Sequence, residues 1–448
     1  MRVFIRHVVL VWLLALFSQS AIAVPSIQNW ATKNGARVFF LPAPEIPIVD
    51  VRVVFDAGSA RDSVELAGLA SLTNGLMIEG AGKLDANTIS ERMEDVGAQL
   101  GSGSLRDMAW LSVRALSDEK VLRETMGVLS LILSQPTFPA DAFAREKKQM
   151  LVGYQASLQQ PSALAERAFM KALYGKHPYA QPSGGNGKTI ERIRQKDVRA
   201  FYNKYYVANN ALIAIVGDLT RLKAEALAEV LSSGLRAGEK APPLPEPQPI
   251  KQAKTIYIDF PSTQTHIWAG QPGMRRGDVD YFALYVGNHA LGGSGLISVL
   301  SDEIREKRGY AYSAYSYFSP MRVNGPFQIT LQTKNAHAKN ALKLLHETVR
   351  DYLDAGISEK QLEASKQNIT GGYALRLDSN KKLLNYIAMI GFYELPLDYI
   401  NTFNANIESL TVKRVSDAMR KRVNVEKLIT IVVGSKADEN IAVKSNAR

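Results

Sequence analysis

Ala211-Leu212-Ile213-Ala214-Ile215-Val216-Gly217 and Leu428-Ile429-Thr430-Ile431-Val432-Val433-Gly434 are two apolar runs, each closed by a glycine and lying 217 residues apart. Short runs rich in β-branched residues suit strands in the interior of a sheet. The same shift aligns Ile190-Glu191 with Ile407-Glu408, Ile193 with Leu410 and Val198 with Val415, so both strands follow a helix and a turn. Upstream, Val51, Val53 and Phe55 alternate before Gly58, while Ile267 to Gly273 precedes a helical stretch from Asp280 to Leu291. Two copies of one α+β unit are the economical reading.

Between the copies, residues 236–254 read RAGEKAPPLPEPQPIKQAK, with Pro242, Pro243, Pro245, Pro247 and Pro249 in one short window. Proline cannot continue a helix or pair in a central strand, so this segment predicts a stiff, extended, solvated connector. The expected organisation is a leader over 1–23, a first unit over 24–235, a linker over 236–252 and a second unit over 253–448. The length of 448 residues supports it, since at about 150 residues per domain it predicts two to four domains.

Composition narrows the function. With 46% apolar and 22% charged residues, the chain folds into packed cores and is neither disordered nor fibrous. Fifty-four basic against forty-three acidic residues give +11, yet no run of five like charges occurs. That basicity reads as a general surface property, and a nucleic-acid role is disfavoured. The absence of cysteine excludes disulfides, thiolate metal sites and a cysteine nucleophile. Arg2 and Arg6 precede the short apolar stretch Val8 to Phe17, and Ala21-Ile22-Ala23 forms a small-x-small cleavage site. This pattern predicts a cleavable signal peptide, no membrane span after cleavage, and a periplasmic address, with secretion as the alternative.

Asp62 and Glu65 fit the N-cap and N3 of a helix on which Leu66, Leu69, Leu72, Leu76 and Met77 recur at near-helical spacing. Here the sequence resembles the pitrilysin and insulinase family of zinc peptidases, which includes the mitochondrial processing peptidase subunits. In that family a G-L-A-H-x-x-E-H helix carries two zinc-binding histidines and a general-base glutamate. This chain has Gly68-Leu69-Ala70-Ser71-Leu72-Thr73-Asn74-Gly75, so Ser71 and Gly75 stand in the histidine places and Asn74 in that of the base. The family's third ligand is a glutamate on a later helix resembling Phe143 to Gln155, where Val152 and Gly153 match. No catalytic residue is therefore expected.

The histidine inventory agrees. Catalytic zinc needs three protein ligands and an open position. The histidines are His7, His177, His266, His289, His337 and His346, and the closest two are nine residues apart, so no pair can share a helical turn. Ser71 has no visible histidine partner and reads as an ordinary small helical residue. His177 reads as a packing or turn residue, and His289 as a satisfied core histidine.

Other family marks survive. Gly97-Ala98-Gln99-Leu100, with Gly101 to Arg106, resembles the family's turn and edge strand, onto which an extended substrate is laid; a plain edge strand is the alternative. Leu291-Gly292-Gly293-Ser294-Gly295 and Arg305-Glu306-Lys307-Arg308-Gly309-Tyr310-Ala311-Tyr312 resemble the family's glycine-rich loop and L-R-E-K-x-G-x-A-Y segment. The resemblance implies that Arg305 and Tyr312 hold a substrate carbonyl, with Gly292, Gly293 and Gly295 beside them. A solvated helix face is the other reading of Arg305.

The resemblance implies an α+β fold of two homologous domains of the LuxS and processing-peptidase type, each a mainly antiparallel sheet with packed helices, closing as a clamshell. The expected function is a non-catalytic subunit that pairs with a zinc-bearing homologue and helps bind unfolded peptide, with zinc only in the partner. A periplasmic peptide-binding or scaffold protein without a protease partner is the alternative.

Overall fold

The computed structural model describes residues 26–435; the leader expected over 1–23 lies outside the described residues. The strands are β1 (Gln28–Ala31), β2 (Arg37–Pro42), β3 (Ile48–Phe55), β4 (Gly80–Ala81), β5 (Leu84–Asp85), β6 (Gln99–Ser104), β7 (Ala109–Leu116) and β8 (Ala211–Gly217) in the first half. The second half supplies β9 (Lys254–Asp259), β10 (Gln264–Pro272), β11 (Ala311–Phe318), β12 (Pro326–Lys334) and β13 (Ile429–Gly434). One sheet runs β1-β2-β8-β3-β7-β6 and the other β11-β12-β10-β13-β9, while β4 and β5 form a small separate ladder.

Read from the opposite edge, the second sheet repeats the first. β9, β13, β10, β12 and β11 take the places of β2, β8, β3, β7 and β6, and both sheets have one parallel pair, β2 with β8 and β9 with β13. The register of the repeat is also kept: β2 begins at Arg37 and β9 at Lys254, and β7 begins at Ala109 and β12 at Pro326, each 217 residues apart. The run Ala211 to Gly217 is buried throughout because β8 lies between β2 and β3 with both faces covered.

The helices that shape the molecule are α1 (Leu69–Leu76), α2 (Ala140–Ser157), α3 (Pro161–Tyr174), α4 (Gly187–Arg192) and α5 (Gln195–Tyr205). In the second half they are α6 (Tyr281–Asn288), α7 (Glu359–Gly371), α8 (Asn380–Tyr393) and α9 (Val412–Arg422). α3 opens with proline at N1, where the lost N–H has no helical partner anyway. Its apolar stripe of Ala165, Phe169, Met170 and Leu173 packs not on its own sheet but with Ile429, Ile431 and Val433 of β13, and Phe169 meets Trp268 of β10 at 5.7 Å between ring centres.

α8, its counterpart in the repeat, does the reverse. Leu384, Ile387, Ala388 and Phe392 pack against Phe39, Val54, Leu212 and Val216 of the first sheet. A Cβ at Gly391 would lie 2.4 Å from Leu212 and 2.8 Å from Phe39, so glycine there permits the helix to approach the sheet. Each half thus lends one helix to the other, and the two α+β units close as a clamshell.

Polar groups tie the same seam. The buried Asp107 carboxylate accepts hydrogen bonds from the Tyr179 hydroxyl, from the Tyr393 hydroxyl at 2.9 Å and from the Arg322 amide at 2.8 Å. Asp56 holds Arg61 of its own half and Arg322 of the other.

The proline-rich segment has neither helix nor strand from 237 to 253, but it is less solvated than expected. Gly238, Ala241, Leu244, Pro247 and Ile250 are half-buried while the residues between them are exposed, a period of three that matches a polyproline II helix with one face laid on the protein. Leu244 and Ile250 pack on the seam between the halves. Arg61 donates to the Pro242 carbonyl at 2.6 Å and the His177 ring nitrogen Nε2 lies 2.8 Å from that of Pro245. The segment is a pinned strap.

Candidate functional site

The helix that carries the family motif begins later than its sequence suggests. Residues 59–61 and 64–66 form two separate short turns, and α1 starts at Leu69 behind Gly68, whose φ of +100° only glycine adopts readily. Asp62 is therefore not the N-cap, yet it still serves the helix: its carboxylate reaches forward to accept the amides of Gly68 and Ala70, both at 2.8 Å. Burial pushes the Asp62 carboxyl up to about 7, in opposition to those amides.

Ser71, one turn into α1, donates its hydroxyl to the Ser183 carbonyl at 3.0 Å. Asn74 is buried and spends its amide on the Trp110 carbonyl at 3.2 Å and the Tyr206 hydroxyl at 3.4 Å. A Cβ at Gly75 would meet no atom within 4 Å, and the same holds for Gly153 on α2. Val152 is exposed, whereas Gly153 lines with Ser71 a cavity of about 460 Å³. The fold therefore brings Ser71 and Gly153 to one cavity and leaves room where ligand side chains would stand.

These residues do not fit a catalytic zinc. Such an ion needs deprotonated nitrogen, sulfur or carboxylate donors. Here Ser71 and Asn74 are committed to main-chain carbonyls, and two positions have no side chain. Among the described residues there is no group of three or more histidine, aspartate or glutamate side chains placed to hold a metal.

In the second half, Arg305 sits in a wide helical turn over Asp302–Glu306, and Tyr312 at the start of β11. The β11–β12 register slips between Ala311 and Ser313, so Tyr312 is a bulge residue on an edge strand and its ring points outward, 84% exposed. The Arg305 guanidinium lies 5.5 Å from the Tyr312 ring centre and 3.5 Å from the Glu306 carboxylate. The fold brings these two residues together. Neither lines the cavity of Ser71 and Gly153.

The three glycines divide. Gly292 is buried, and a Cβ there would lie 2.4 Å from the Ser316 hydroxyl of β11, while at Gly293 it would crowd Asn288; both positions are set by close packing. Gly295 has a φ of +66° and open space around it. His289 lies between two side chains of α7, Ser365 at 3.0 Å and Asn368 at 3.1 Å, and burial pushes its pKa down. His177 accepts the Tyr179 amide on Nδ1, which leaves Nε2–H to donate to the strap. β6 is an open sheet edge, entered from a turn at Gly97 with φ +64°.

Residues 37–186 match the insulinase (peptidase family M16) model and 192–369 the peptidase M16 inactive domain. A crystal structure of a peptidase M16 inactive domain from Pseudomonas fluorescens is 39% identical, covers 93% of this chain and 99% of its own, and superposes with a TM-score of 0.89. The chain belongs to the peptidase M16 family. Among curated M16 relatives, an uncharacterized zinc protease YmxG of Bacillus subtilis is 25% identical over 85% of this chain and 93% of its own length. A non-peptidase homolog YmxG of Helicobacter pylori is 23% identical over 87% and 90%. The periplasmic protease PqqL of Escherichia coli shares the fold, with a TM-score of 0.76 at 18% identity over 92% of this chain and 46% of its own. The comparisons and the donor set agree on a non-catalytic member of M16.

Sequence reasoning named Arg106 of the cavity only as the end of the edge-strand segment, and missed its charged neighbours Glu166 and Arg167. Arg106 follows the β6 edge strand, and Glu166 and Arg167 lie on α3, the helix given over to the other half. Only the topology reveals their meeting.

Proposed function

We propose that this chain is an exported, non-catalytic M16 subunit that pairs with a zinc-bearing homologue and helps grip unfolded peptide. The observation that carries the reading is the contrast within one chain: the metal helix keeps its place but has no donors, while Arg305 and Tyr312 remain paired on an open edge. An arginine and a tyrosine donate hydrogen bonds to a carbonyl or a developing oxyanion, but they cannot generate a nucleophile. A partner must therefore supply the ion and its water, with zinc confined to that partner. Gly295 gives the neighbouring loop freedom to meet a peptide backbone, while Gly292 lets that loop lie against β11 and Gly293 lets it pack on Asn288. Export rests on the leader pattern of Arg2, Arg6 and Ala21-Ile22-Ala23, and the periplasmic protease PqqL, which has the same fold, supports it.

The test is co-expression with a homologue that has an intact histidine-glutamate-histidine helix. The complex is expected to form, and Arg305→Ala or Tyr312→Phe is expected to lower its peptide cleavage about 100-fold, the scale of a lost oxyanion donor. No complex with any such homologue, or a stable assembly free of one, favours a scaffold role instead.

A further inference from the structure

The cavity left by the missing metal site has the opposite polarity to a metal site. Its charged groups are two guanidiniums, Arg106 and Arg167, against the single carboxylate of Glu166, and its hydroxyls include Ser71, Ser157 and Ser183. Arg106 is anchored by its Nη1, which donates to the carbonyls of Tyr179 at 3.0 Å and Gln181 at 2.7 Å. Arg167 lies over the Tyr154 ring, 4.9 Å from its centre, and donates to the Ser157 hydroxyl. Both guanidiniums are held in place before any ligand arrives, which lowers the entropy cost of binding one.

The helices next to the cavity carry a small excess of basic groups: α2 has Arg145, Lys147 and Lys148 against Asp141 and Glu146, and α4 has Lys188 and Arg192 against Glu191. α2 brings Lys147 and Lys148 beside the cavity residues Met150, Gly153 and Tyr154, and α4, which follows the cavity residues Gly184 and Gly185, brings Lys188 and Arg192. The Lys147 ammonium donates to the carbonyls of Glu191 and Ile193 close to Arg194. Lys148, Lys188, Arg192 and Arg194 are exposed. Lys147 feels Arg194 as a like charge and Glu191 as an opposite one, and the small excess of exposed cations over carboxylates favours an anion.

The geometry points to an acidic polypeptide segment as the ligand of this face, with one carboxylate entering the cavity toward Arg106 and Arg167 and its acidic neighbours lying over α2 and α4. This inference rests on the peptide-binding role proposed above and names its substrate class. It requires no metal.

The probes are fluorescein-labelled unstructured peptides: one rich in aspartate and glutamate, its asparagine–glutamine isostere, and a lysine-rich control. Anisotropy with the full chain in excess chelator should show the acidic peptide bound at least about 10-fold more tightly than its isostere, with the preference falling as salt rises past the Debye screening range. Lys188→Glu with Arg192→Glu, both on the surface, should erase most of the salt dependence, and Arg167→Gln should weaken the acidic peptide alone. Equal binding of acidic and isosteric peptides, an acidic preference unchanged in the surface variant, or retention only on phosphatidylglycerol vesicles would each overturn the inference. These readouts need no partner, so a failure here is distinguishable from failure to pair with a zinc-bearing homologue.

Discussion

Gly75 and Gly153 sit on helices where a Cβ would meet open space and the backbone is not left-handed. Glycine in such a place costs stability through the unfolded chain without returning any packing. Gly75→Ala and Gly153→Ala should each therefore stabilise the protein by up to about 1 kcal/mol in urea unfolding; destabilisation would show that the space is used. Asp62 makes the opposite kind of prediction. Its carboxyl binds a proton more tightly when folded than when unfolded, so its contribution is present below the ordinary aspartate range and is lost as pH rises toward about 7. Stability measured across that window should fall less steeply in Asp62→Asn than in the parent, although the variant loses one of the two amide bonds. The losses at Ser71, Asn74 and Gly75 were legible in the sequence because the motif is local. Arg106 and Arg167 were not, since their meeting depends on chain folding across more than sixty residues.

Among the elements, the strands were the most legible. The run Ala211 to Gly217 reads as buried and is buried throughout, because a central strand has no polar face to disguise its period. The start of α1 was misread because Asp62 does cap that helix, but by a side chain reaching over six residues, a geometry with no periodic signature. The strap was read correctly as extended and incorrectly as solvated all round, since the composition PPLPEPQP specifies polyproline II but not the face it presents. What composition could not suggest is the exchange of α3 and α8 between halves. Phe169→Ala, which empties the α3 contact with Trp268, should cost about 3–5 kcal/mol and expose the seam between the halves to proteolysis. A loss below about 1 kcal/mol would mean that α3 contributes little to joining them.

At the scale of the whole molecule, the repeat explains why one chain can lose its chemistry and keep its shape. The cores of the two halves, the exchanged helices and the Asp107 node use none of Ser71, Gly75, Val152 and Gly153, and Asn74 enters only by its buried amide near the first core. Asp107→Ala strands the Tyr179 and Tyr393 hydroxyls and the Arg322 amide at once, and should cost about 3 kcal/mol while leaving each separate sheet intact by circular dichroism. The family and its two-unit architecture were legible because resemblance extends across both halves. The central claim is that this scaffold has no ion of its own. Metal analysis of the isolated chain, expressed with added zinc and dialysed, tests it most directly. The account predicts zinc well below one equivalent and no peptide hydrolysis, and one tightly held zinc per chain with chelator-sensitive cleavage would contradict it.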